Sequence, residues 1–376
     1  MTALESFIKV CRRYLIISDP TYIHVIFGTI FANRLDSCPV WLYLVAPPSS
    51  GKTEMLIPLY GASEIYWTDS LTKNTLISFY GEKKDASLIP KLDGKVLIIK
   101  DFTEMLKMRR EVLQEILGQL RNAYDGKCSK TSGKGIKKSY ESKFGVIAAV
   151  TDEIDGHRAL LAALGERFIT YRIPDVSRHE QARRCLKAMQ GDSLDERVKA
   201  MTVAAHKVLA IDPKPARISD SSMREIIKIA QIVAQGRTGV RRDRFTREPD
   251  IVRAEYPVRL AEELCNLAIG IAMAREKPSV TKEEVLLVQH TAIHCLELKR
   301  IRILNILLEK YPDWVETTDI SEALCSSPET ARYHLDDLVL LDLAHRRNVL
   351  GKKGRMKHQW QLKQAIMLRR ILKIGI

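Results

Sequence analysis

The stretch "WLYLVAPPSSGKTEML", residues 41–56, decides the fold. Its first part, 41–46, is an apolar run, which predicts a strand buried on both faces, as in a parallel sheet. Residues 46–53 then follow the pattern G-x-x-x-x-G-K-[ST], with Ala46 in place of the first glycine. The segment "KTEMLIPLY" that follows can begin a helix, whose N-terminal dipole favours phosphate. Strand, loop and helix together predict a phosphate-binding loop.

Each key position of the loop motif has a chemical role in nucleotide binding. Gly51 gives the backbone the freedom to turn its amides toward phosphate, Lys52 would reach the β- and γ-phosphates, and Thr53 would ligate Mg2+. Ala46 costs little, because the first position needs a tight turn but not a positive φ. The expected cofactors are therefore ATP and Mg2+. The predicted nucleotide-binding residues are Pro48, Ser49, Ser50, Gly51, Lys52, Thr53 and Glu54.

A second strand, in "KVLIIKDFTEML", ends in an acid. Asp101 stands at the strand end, where a carboxylate would hold Mg2+ through water. The usual next residue is a glutamate that activates the attacking water, but here it is Phe102, and the nearest carboxylate is Glu104. Three alternatives stay open: Glu104 acts from a displaced position, the base comes from elsewhere, or hydrolysis is slow. Glu104 can equally be a first-turn acid that complements a helix dipole.

A third strand is predicted in "FGVIAAVTDEID", with its apolar run ending at Thr151. A small-residue helix, "RALLAALGE", and a strand-like segment, "RFITYRI", follow, with Arg167 between them. This order of phosphate loop, Asp strand, Thr strand and "GERF" arginine resembles an AAA+ ATPase. The resemblance implies that Thr151 senses the γ-phosphate and that Arg167 reaches the nucleotide of a neighbouring subunit. It also implies a sensor-2 role for Arg259 in "YPVRLAEEL"; otherwise Arg259 is a plain helix-start arginine, an unfavourable place for a cation.

Two further segments resemble the helicase branch of that family. "NAYDGKCSKTSGKGIKKSYESKFGVIAAVT" looks like the pre-sensor-1 β-hairpin of minichromosome maintenance and superfamily 3 helicases, and "LGERFITYRI" looks like the "SRFD" region of the former. The segment "TLISFYGEKKDASLIPKLDGKVLIIKDF" is long enough for an additional helix or hairpin. The resemblance covers roughly residues 20–175. It implies a homo-hexameric replication ATPase of a prophage or other mobile element, with a primase as a candidate partner.

The hairpin segment also has a chemistry of its own. Gly126, Gly133 and Gly135 provide turn residues. The lysines between 127 and 138 make the segment cationic, so that it could grip successive DNA phosphates without reading bases. The alternative is a solvated lysine-rich surface loop. The predicted DNA contacts here are Lys130, Lys134, Lys137 and Lys138.

Composition sets outer limits on the function. The net charge of +14 favours a polyanionic partner, most simply nucleic acid, although a basic protein without such a partner is the alternative. No apolar run reaches the roughly 20 residues that span a bilayer, and the N-terminus lacks a signal-peptide pattern. The cysteines form no C-x-x-C pairs, which argues against zinc sites and disulfides. We therefore expect a cytoplasmic protein without a membrane partner.

The predicted fold class is an α/β P-loop AAA+ core with an α-helical lid, followed by a C-terminal winged helix-turn-helix domain. The core with its N-terminal helices spans 1–175, the lid 176–299 and the winged helix 300–376. Helical apolar spacing in "SMREIIKIAQIVAQG", "RLAEELCNLAIGIAMARE" and "SVTKEEVLLVQHTAIHCLEL" predicts the lid helices. The basic segment "GRTGVRRDRFTREPD" reads as a loop, either plain or a second nucleic-acid contact.

The last domain is predicted from three helical patterns followed by two short strands. The recognition helix would run from 328 to 341, with Thr330, Arg332, Tyr333 and His334 facing the DNA groove. Winged helices also dock proteins, so this alternative stays open. The predicted DNA contacts of this domain are Arg332, Arg346, Arg347, Lys352 and Lys353.

Two functions from different classes fit these patterns. The first is a motor, a ring that hydrolyses ATP and translocates on DNA. The second is a switch, an ATP-controlled DNA-binding regulator or loader with little unwinding. The basic hairpin favours the motor, and the missing glutamate after Asp101 favours the switch. A protein-remodelling ATPase is less favoured, because no aromatic pore loop for gripping polypeptide is visible in the sequence.

Overall fold

The structure is a computed structural model that describes residues 1–79, 85–157, 160–161, 165–189, 191, 193–243, 245–246, 248–350 and 356–363. Two compact units divide the chain: residues 1–223 with 262–287 form unit 1, and residues 224–261 with 288–376 form unit 2. The strands and helices are numbered in chain order.

Unit 1 is built on a parallel sheet. Among the described residues the sheet has the strand order β2-β3-β6-β1-β7, with every neighbouring pair parallel. The strands are β1 (Trp41–Val45), β2 (Ile65–Thr68), β3 (Val96–Ile99), β6 (Gly145–Val150) and β7 (Phe168–Arg172). The four strands predicted from the apolar runs near residues 41, 96, 144 and 167 are confirmed. Continuous apolar runs of this length avoid water on both faces only where helices cover both sides of the sheet. The strand β6 separates β1 from β3, so the loop strand and the Asp101 strand are not adjacent.

Helices surround this sheet, as in an α/β nucleotide-binding core. They are α1 (Ala3–Tyr14), α2 (Thr21–Ala32), α3 (Lys52–Leu56), α4 (Ile89–Leu92), α5 (Phe102–Leu106), α6 (Arg110–Tyr124), α7 (Arg178–Met189) and α8 (Leu194–Leu209). Capping boxes begin two of them: Thr2 with Glu5 at α1, and Ser193 with Glu196 at α8. None of the described helices is both long and apolar enough to cross a bilayer.

The core of unit 1 centres on Trp41 of β1. Its ring lies 5.7 Å from that of Phe144, 5.1 Å from that of Phe168 and 5.2 Å from that of Tyr124. The indole Nε1 donates to the carbonyl of Phe144 at 2.8 Å, so the buried N–H has a partner. These aromatic contacts hold the loop strand at the centre of the sheet, with its carboxyl end fixed for the loop that follows.

Three long helices follow in sequence: α9 (Asp220–Arg237), α10 (Val258–Ala274) and α11 (Lys282–Ile293). The three lid helices predicted from periodicity are confirmed as helices. Within unit 1, α10 crosses α2 where two glycines meet. A Cβ atom built on Gly270 would lie 2.1 Å from the carbonyl oxygen of Gly28, so only glycine permits this approach.

This crossing gives a stability prediction. Gly270→Ala should lower the free energy of unfolding by roughly 1–3 kcal/mol, since the added methyl must displace backbone rather than a flexible side chain. Gly118 in α6 is the matched control, because a Cβ there meets nothing within 4 Å. Gly118→Ala should be neutral or stabilise by roughly 0.5–1 kcal/mol. Thermal unfolding of both variants measures this, and equal melting temperatures would contradict the close crossing.

The predicted basic hairpin is present in unit 1. Strands β4 (Lys127–Thr131) and β5 (Lys137–Glu141) pair antiparallel, with Lys127 opposite Glu141 and Thr131 opposite Lys137. The turn at 132–136 carries Gly135 at φ 78°, a conformation that glycine adopts without strain. The hairpin directly precedes β6, as the sequence predicted.

Unit 2 contains helices packed on a small antiparallel sheet. After α12 (Leu298–Lys310) come β8 (Val315–Glu316), α13 (Thr317–Ala323), α14 (Pro328–Leu340), β9 (Ala344–Leu350) and β10 (Met356–Leu362). The strands pair in the order β8-β10-β9. Ser327 caps α14 by accepting from the amide of Thr330, and Pro328 occupies the first turn, as the Ser-Pro signal predicted. Trp360 on β10 is fully buried in this unit.

A segment before α10 packs on α14 within unit 2. The guanidinium of Arg242 pairs with buried Asp337 and lies 4.0 Å from the ring centroid of Tyr333. Arg237 pairs with Glu255 at 2.8 Å across the same segment. The basic stretch predicted as a loop is therefore anchored at Arg242, so that this arginine stabilises unit 2.

Candidate nucleotide-binding site

The loop between β1 and α3 has the backbone that phosphate binding requires. Gly51 lies at φ 91° and Ser49 at φ 60°, both in the left-handed region. For a serine this conformation costs about 1–3 kcal/mol, a strain typical of functional loops. Ala46 has no positive φ, as expected, and its amide donates to the carbonyl of Val150 at 3.2 Å. The loop thus leaves the sheet beside β6.

The helix that follows the loop is shorter than the sequence suggested. α3 ends at Leu56 and continues as a 3-10 turn over Ile57–Leu59. Pro58 explains the change, because proline cannot donate to the carbonyl four residues earlier. The loop amides therefore contribute more to an anion site here than the dipole of this short helix can.

Lys52 lies against its own loop. Its ammonium donates to the carbonyls of Ala46 and, at 2.8 Å, of Pro47. Burial lowers the pKa of Lys52, and the carboxylates of Asp152 and Asp101 oppose that shift. Peptide carbonyls are weaker acceptors for an ammonium than phosphate oxygens, so an incoming triphosphate can draw this side chain from the loop.

Asp101 lies at the end of β3, where it also caps α5. Its Oδ1 accepts from the amide of Thr103 at 3.0 Å. The hydroxyl of Thr103 in turn accepts from the amide of Thr151 at 3.0 Å and donates to the hydroxyl of Thr151 at 3.4 Å. The structure thus brings Asp101 and Thr151 to one edge of the sheet, at the ends of neighbouring strands. Thr103 links them, a contact the sequence did not suggest.

Glu104 is the first carboxylate after Asp101 in the sequence, and its catalytic role stays a prediction. It lies in the first turn of α5, with its side chain 60% exposed, and pairs with Lys107 at 2.9 Å. This arrangement favours its role as a helix acid. A different acid, Asp152, follows directly after Thr151, and its Oδ1 lies 3.1 Å from Nη1 of buried Arg172. The only sequence feature that could have indicated Asp152 as a site residue is its position directly after the predicted end of the third strand.

A cavity of about 440 Å³ adjoins the loop, within the usual range for small-molecule sites. One wall is formed by the loop residues Pro47, Pro48, Ser49, Ser50 and Gly51. The rest of the lining comes mainly from the α1–α2 connection, the start of α2, the β7–α7 connection, α7 and α8. Its apolar members include Leu15, Ile17, Tyr22, Val176, Val198 and Met201. An apolar slot beside a phosphate loop suits a flat base next to its phosphates.

Two arginines of the cavity are candidates that the sequence reasoning missed. Arg184 of α7 donates to the carbonyl of Ser50 at 3.4 Å and to that of Ile16. Arg197 of α8 has no ion-pair partner among the described residues. The Nε atoms of both arginines and the hydroxyl of Ser50 are buried without a hydrogen-bond partner in the described part. Buried hydrogen-bond donors that lack a protein partner are suited to bind a polyanionic ligand such as ATP.

Arg167 lies inside unit 1 rather than on its surface. Its Nη2 lies 3.1 Å from Asp125 Oδ2, and its guanidinium is 5.4 Å from the Tyr124 ring centroid. Only 10% of its side chain is exposed. To reach a neighbouring subunit, Arg167 would first have to leave Asp125. Arg259 is the second residue of α10, half-buried, and belongs to unit 2.

The hairpin lysines divide into two groups. Lys130 pairs with Glu115 at 2.8 Å and Lys138 with Asp85 at 2.8 Å, and both are partly buried. Lys138 together with Tyr140 holds the pKa of the Asp85 carboxyl well below its usual range. These two lysines therefore fix the hairpin to its own unit, and their role as DNA contacts stays a prediction. Lys134 and Lys137 are exposed and have no ion-pair partner among the described residues.

Several residues of unit 2 that were predicted to contact DNA have side-chain partners within the protein. Arg346 pairs with Asp336 at 2.7 Å, and Arg347 donates to Gln359 at 2.9 Å. Arg332 is half-exposed, 3.6 Å from Asp336. Nδ1 of His334 is buried, and burial lowers the pKa of this ring; the prediction that it faces a DNA groove stays a prediction. Lys352 and Lys353 lie outside the described residues.

No family model and no curated protein matches the chain. Among solved structures, one from Cytophaga hutchinsonii ATCC 33406, named as a candidate ATPase, aligns with a TM-score of 0.43 at 11% identity. The alignment covers 75% of this chain and 83% of that one. A likeness of this degree assigns neither a fold nor an activity to this chain.

Proposed function

We propose that this chain is an ATP hydrolase that acts on DNA, a ring-forming translocase or helicase of AAA+ type. One observation carries the ATPase part. The phosphate loop with Lys52 and Thr53, the Asp101 strand end and Thr151 meet at the carboxyl edge of one parallel sheet, beside a cavity with buried unpartnered donors. Open α/β sheets bind their ligands at this edge. Thr53 and Asp101 would hold Mg2+ with the phosphates.

The DNA part is supported by the hairpin. Lys134 and Lys137 stand on and beside its turn, exposed, while Lys130 and Lys138 fix its base. A cation pair on a braced hairpin can contact phosphates, which carry no base identity. In a ring of six copies these hairpins would line one pore. The helices and antiparallel strands of unit 2 would serve as a winged helix that holds the duplex, with α14 as the recognition helix.

The replication setting extends the same proposal. A ring that separates strands would serve the copying of a mobile element, with a primase as the partner that uses the single strand. Cellular fractionation should find it in the cytoplasm. These steps rest on the resemblance of short motifs and not on geometry.

A switch is the second candidate, and Glu104 favours it. The carboxylate expected to activate water is paired with Lys107 and largely exposed. With slow hydrolysis, nucleotide binding alone would control DNA binding. A strand-displacement assay separates the two candidates, because a switch binds DNA in response to ATP without separating strands.

The ring itself gives a prediction about Arg167. Lys52→Ala and Arg167→Ala proteins should each lack hydrolysis, and mixing them should restore part of it, since some interfaces then carry both intact residues. Asp125→Asn is the matched control, because it removes the ion pair and keeps the arginine. It should retain most activity. No recovery at any mixing ratio, with assembly verified by sedimentation, would contradict action in trans and leave Arg167 a structural residue.

A further inference from the structure

A carboxylate, Asp152, follows the strand that lies between the loop strand and the Asp101 strand. β6 pairs with β1 in the register Val45 to Val150, and with β3 in the register Ile99 to Ala148. Asp152 follows two residues after the end of β6. It therefore lies at the sheet edge with the phosphate loop on one side and Asp101 on the other.

An ion pair orients one carboxylate oxygen of Asp152 and leaves the other oxygen able to accept a hydrogen bond from water. Its Oδ1 lies 3.1 Å from Nη1 of Arg172, whose own side chain is 9% exposed. Arg172 is fixed on its other nitrogen by Asp155 at 2.7 Å. The second oxygen of Asp152, Oδ2, has no hydrogen-bond or ion-pair partner among the described residues. Since 48% of the side chain is exposed, water reaches it.

Topology places Asp152 at the same sheet edge as the phosphate loop, because β6 pairs directly with β1. The loop begins where β1 ends, and its Lys52 is the group that would meet the γ-phosphate. The competing acid, Glu104, is paired with Lys107 at 2.9 Å. An oriented, half-exposed carboxylate at this edge has the properties that a water-activating group requires.

We propose that Asp152 is the catalytic carboxylate of ATP hydrolysis, with Arg172 as its positioning residue. This inference rests on the proposed ATPase function. Oδ2 of Asp152 accepts a proton from a water molecule while the water oxygen forms a bond to the γ-phosphorus. The bond between the γ-phosphorus and the bridging oxygen breaks, and ADP leaves with that electron pair. Inorganic phosphate and ADP are the products, and Asp152 later returns its proton to solvent.

The test compares isosteric variants by steady-state hydrolysis and by binding of a fluorescent ATP analogue with Mg2+. Asp152→Asn keeps an oxygen for Arg172 but cannot accept the proton, so kcat should fall about 10²- to 10⁴-fold. Nucleotide affinity and thermal stability should stay within a few-fold and a few degrees of the parent. Asp152→Glu should recover part of kcat.

Glu153→Gln is the matched control, because Glu153 is the next residue in the chain, carries the same charge and is exposed. It should keep hydrolysis within about threefold of the parent. A loss in Glu153→Gln equal to that in Asp152→Asn would assign the effect to the charge of this turn and overturn the inference. The same holds if Glu104→Gln loses hydrolysis and Asp152→Asn does not, or if Asp152→Asn chiefly weakens binding.

Failure of the proposed function looks different. A parent chain that binds nucleotide and hydrolyses none overturns both the ATPase and the role of Asp152. A parent that hydrolyses ATP at the same rate as Asp152→Asn overturns only the role of Asp152.

Discussion

Lys52→Ala is expected to lower ATP hydrolysis by about 10³-fold, the cost typical of removing one preorganised donor from a developing charge. Lys52 is the lysine of the phosphate loop, and its ammonium lies on the carbonyls of Ala46 and Pro47. No other lysine of the described residues lies in that loop. ATP binding should weaken as well, because the same charge meets the β- and γ-phosphates in the ground state. Steady-state phosphate release and equilibrium binding measure the two effects separately.

Lys107→Ala is the matched control for this variant. Lys107 is an exposed lysine close to the same edge and carries the same charge, but it pairs with Glu104. It should hydrolyse ATP at nearly the parent rate. If Lys52→Ala retains parent activity, the loop after β1 is not the active site, whatever else the chain does.

Neutralising Lys134 and Lys137 together is expected to abolish strand separation while DNA binding falls less. These two lysines are the hairpin cations that are exposed and without an ion pair among the described residues. In a motor, the hairpin drags the strand with each ATP cycle, so lost phosphate contacts stop movement. The dependence of binding on salt should flatten by roughly 0.7–0.9 units of slope per lost contact. A forked-duplex unwinding assay and a salt titration of binding measure these effects.

A control for this variant removes two ion-paired lysines, one at the base of the same hairpin and one outside it. Lys127 pairs with Glu141, and Lys228 pairs with Glu225, both on exposed surface. Replacing these two with alanine should leave unwinding near the parent rate. Parent-rate unwinding by the Lys134 and Lys137 double variant, with unchanged hydrolysis, would remove the hairpin from the mechanism. Lys130 and Lys138 are unsuitable for this purpose, because their loss also loosens the hairpin from Glu115 and Asp85.

The strands and long helices could be predicted because their signals are local. Residues 41–46 and 145–150 are apolar without interruption, and α9, α10 and α11 repeat apolar residues at helical spacing. The short strand β2 was not predicted, although "IYWT" consists of β-branched and aromatic residues and lies between "GAS" and "DS". The early end of α3 follows from Pro58, which was visible in the sequence.

The site could be predicted only where its residues are neighbours in sequence. Lys52 and Thr53 belong to one motif, and Asp101 and Thr151 end apolar runs. Partners come from distant segments: Arg184 meets Ser50, and Lys130 meets Glu115, through packing that no short pattern encodes. For this reason the sequence predicted four hairpin lysines as DNA contacts without showing that two of them, Lys130 and Lys138, are ion-paired.

ATP-dependent separation of a forked DNA duplex by the parent chain with Mg2+ shows whether this chain is a motor. We expect displaced strand to accumulate with time when ATP is present. We expect none with a non-hydrolysable analogue and none from Lys52→Ala. DNA binding that responds to ATP, with no strand displaced on any fork, would contradict the motor and leave the switch.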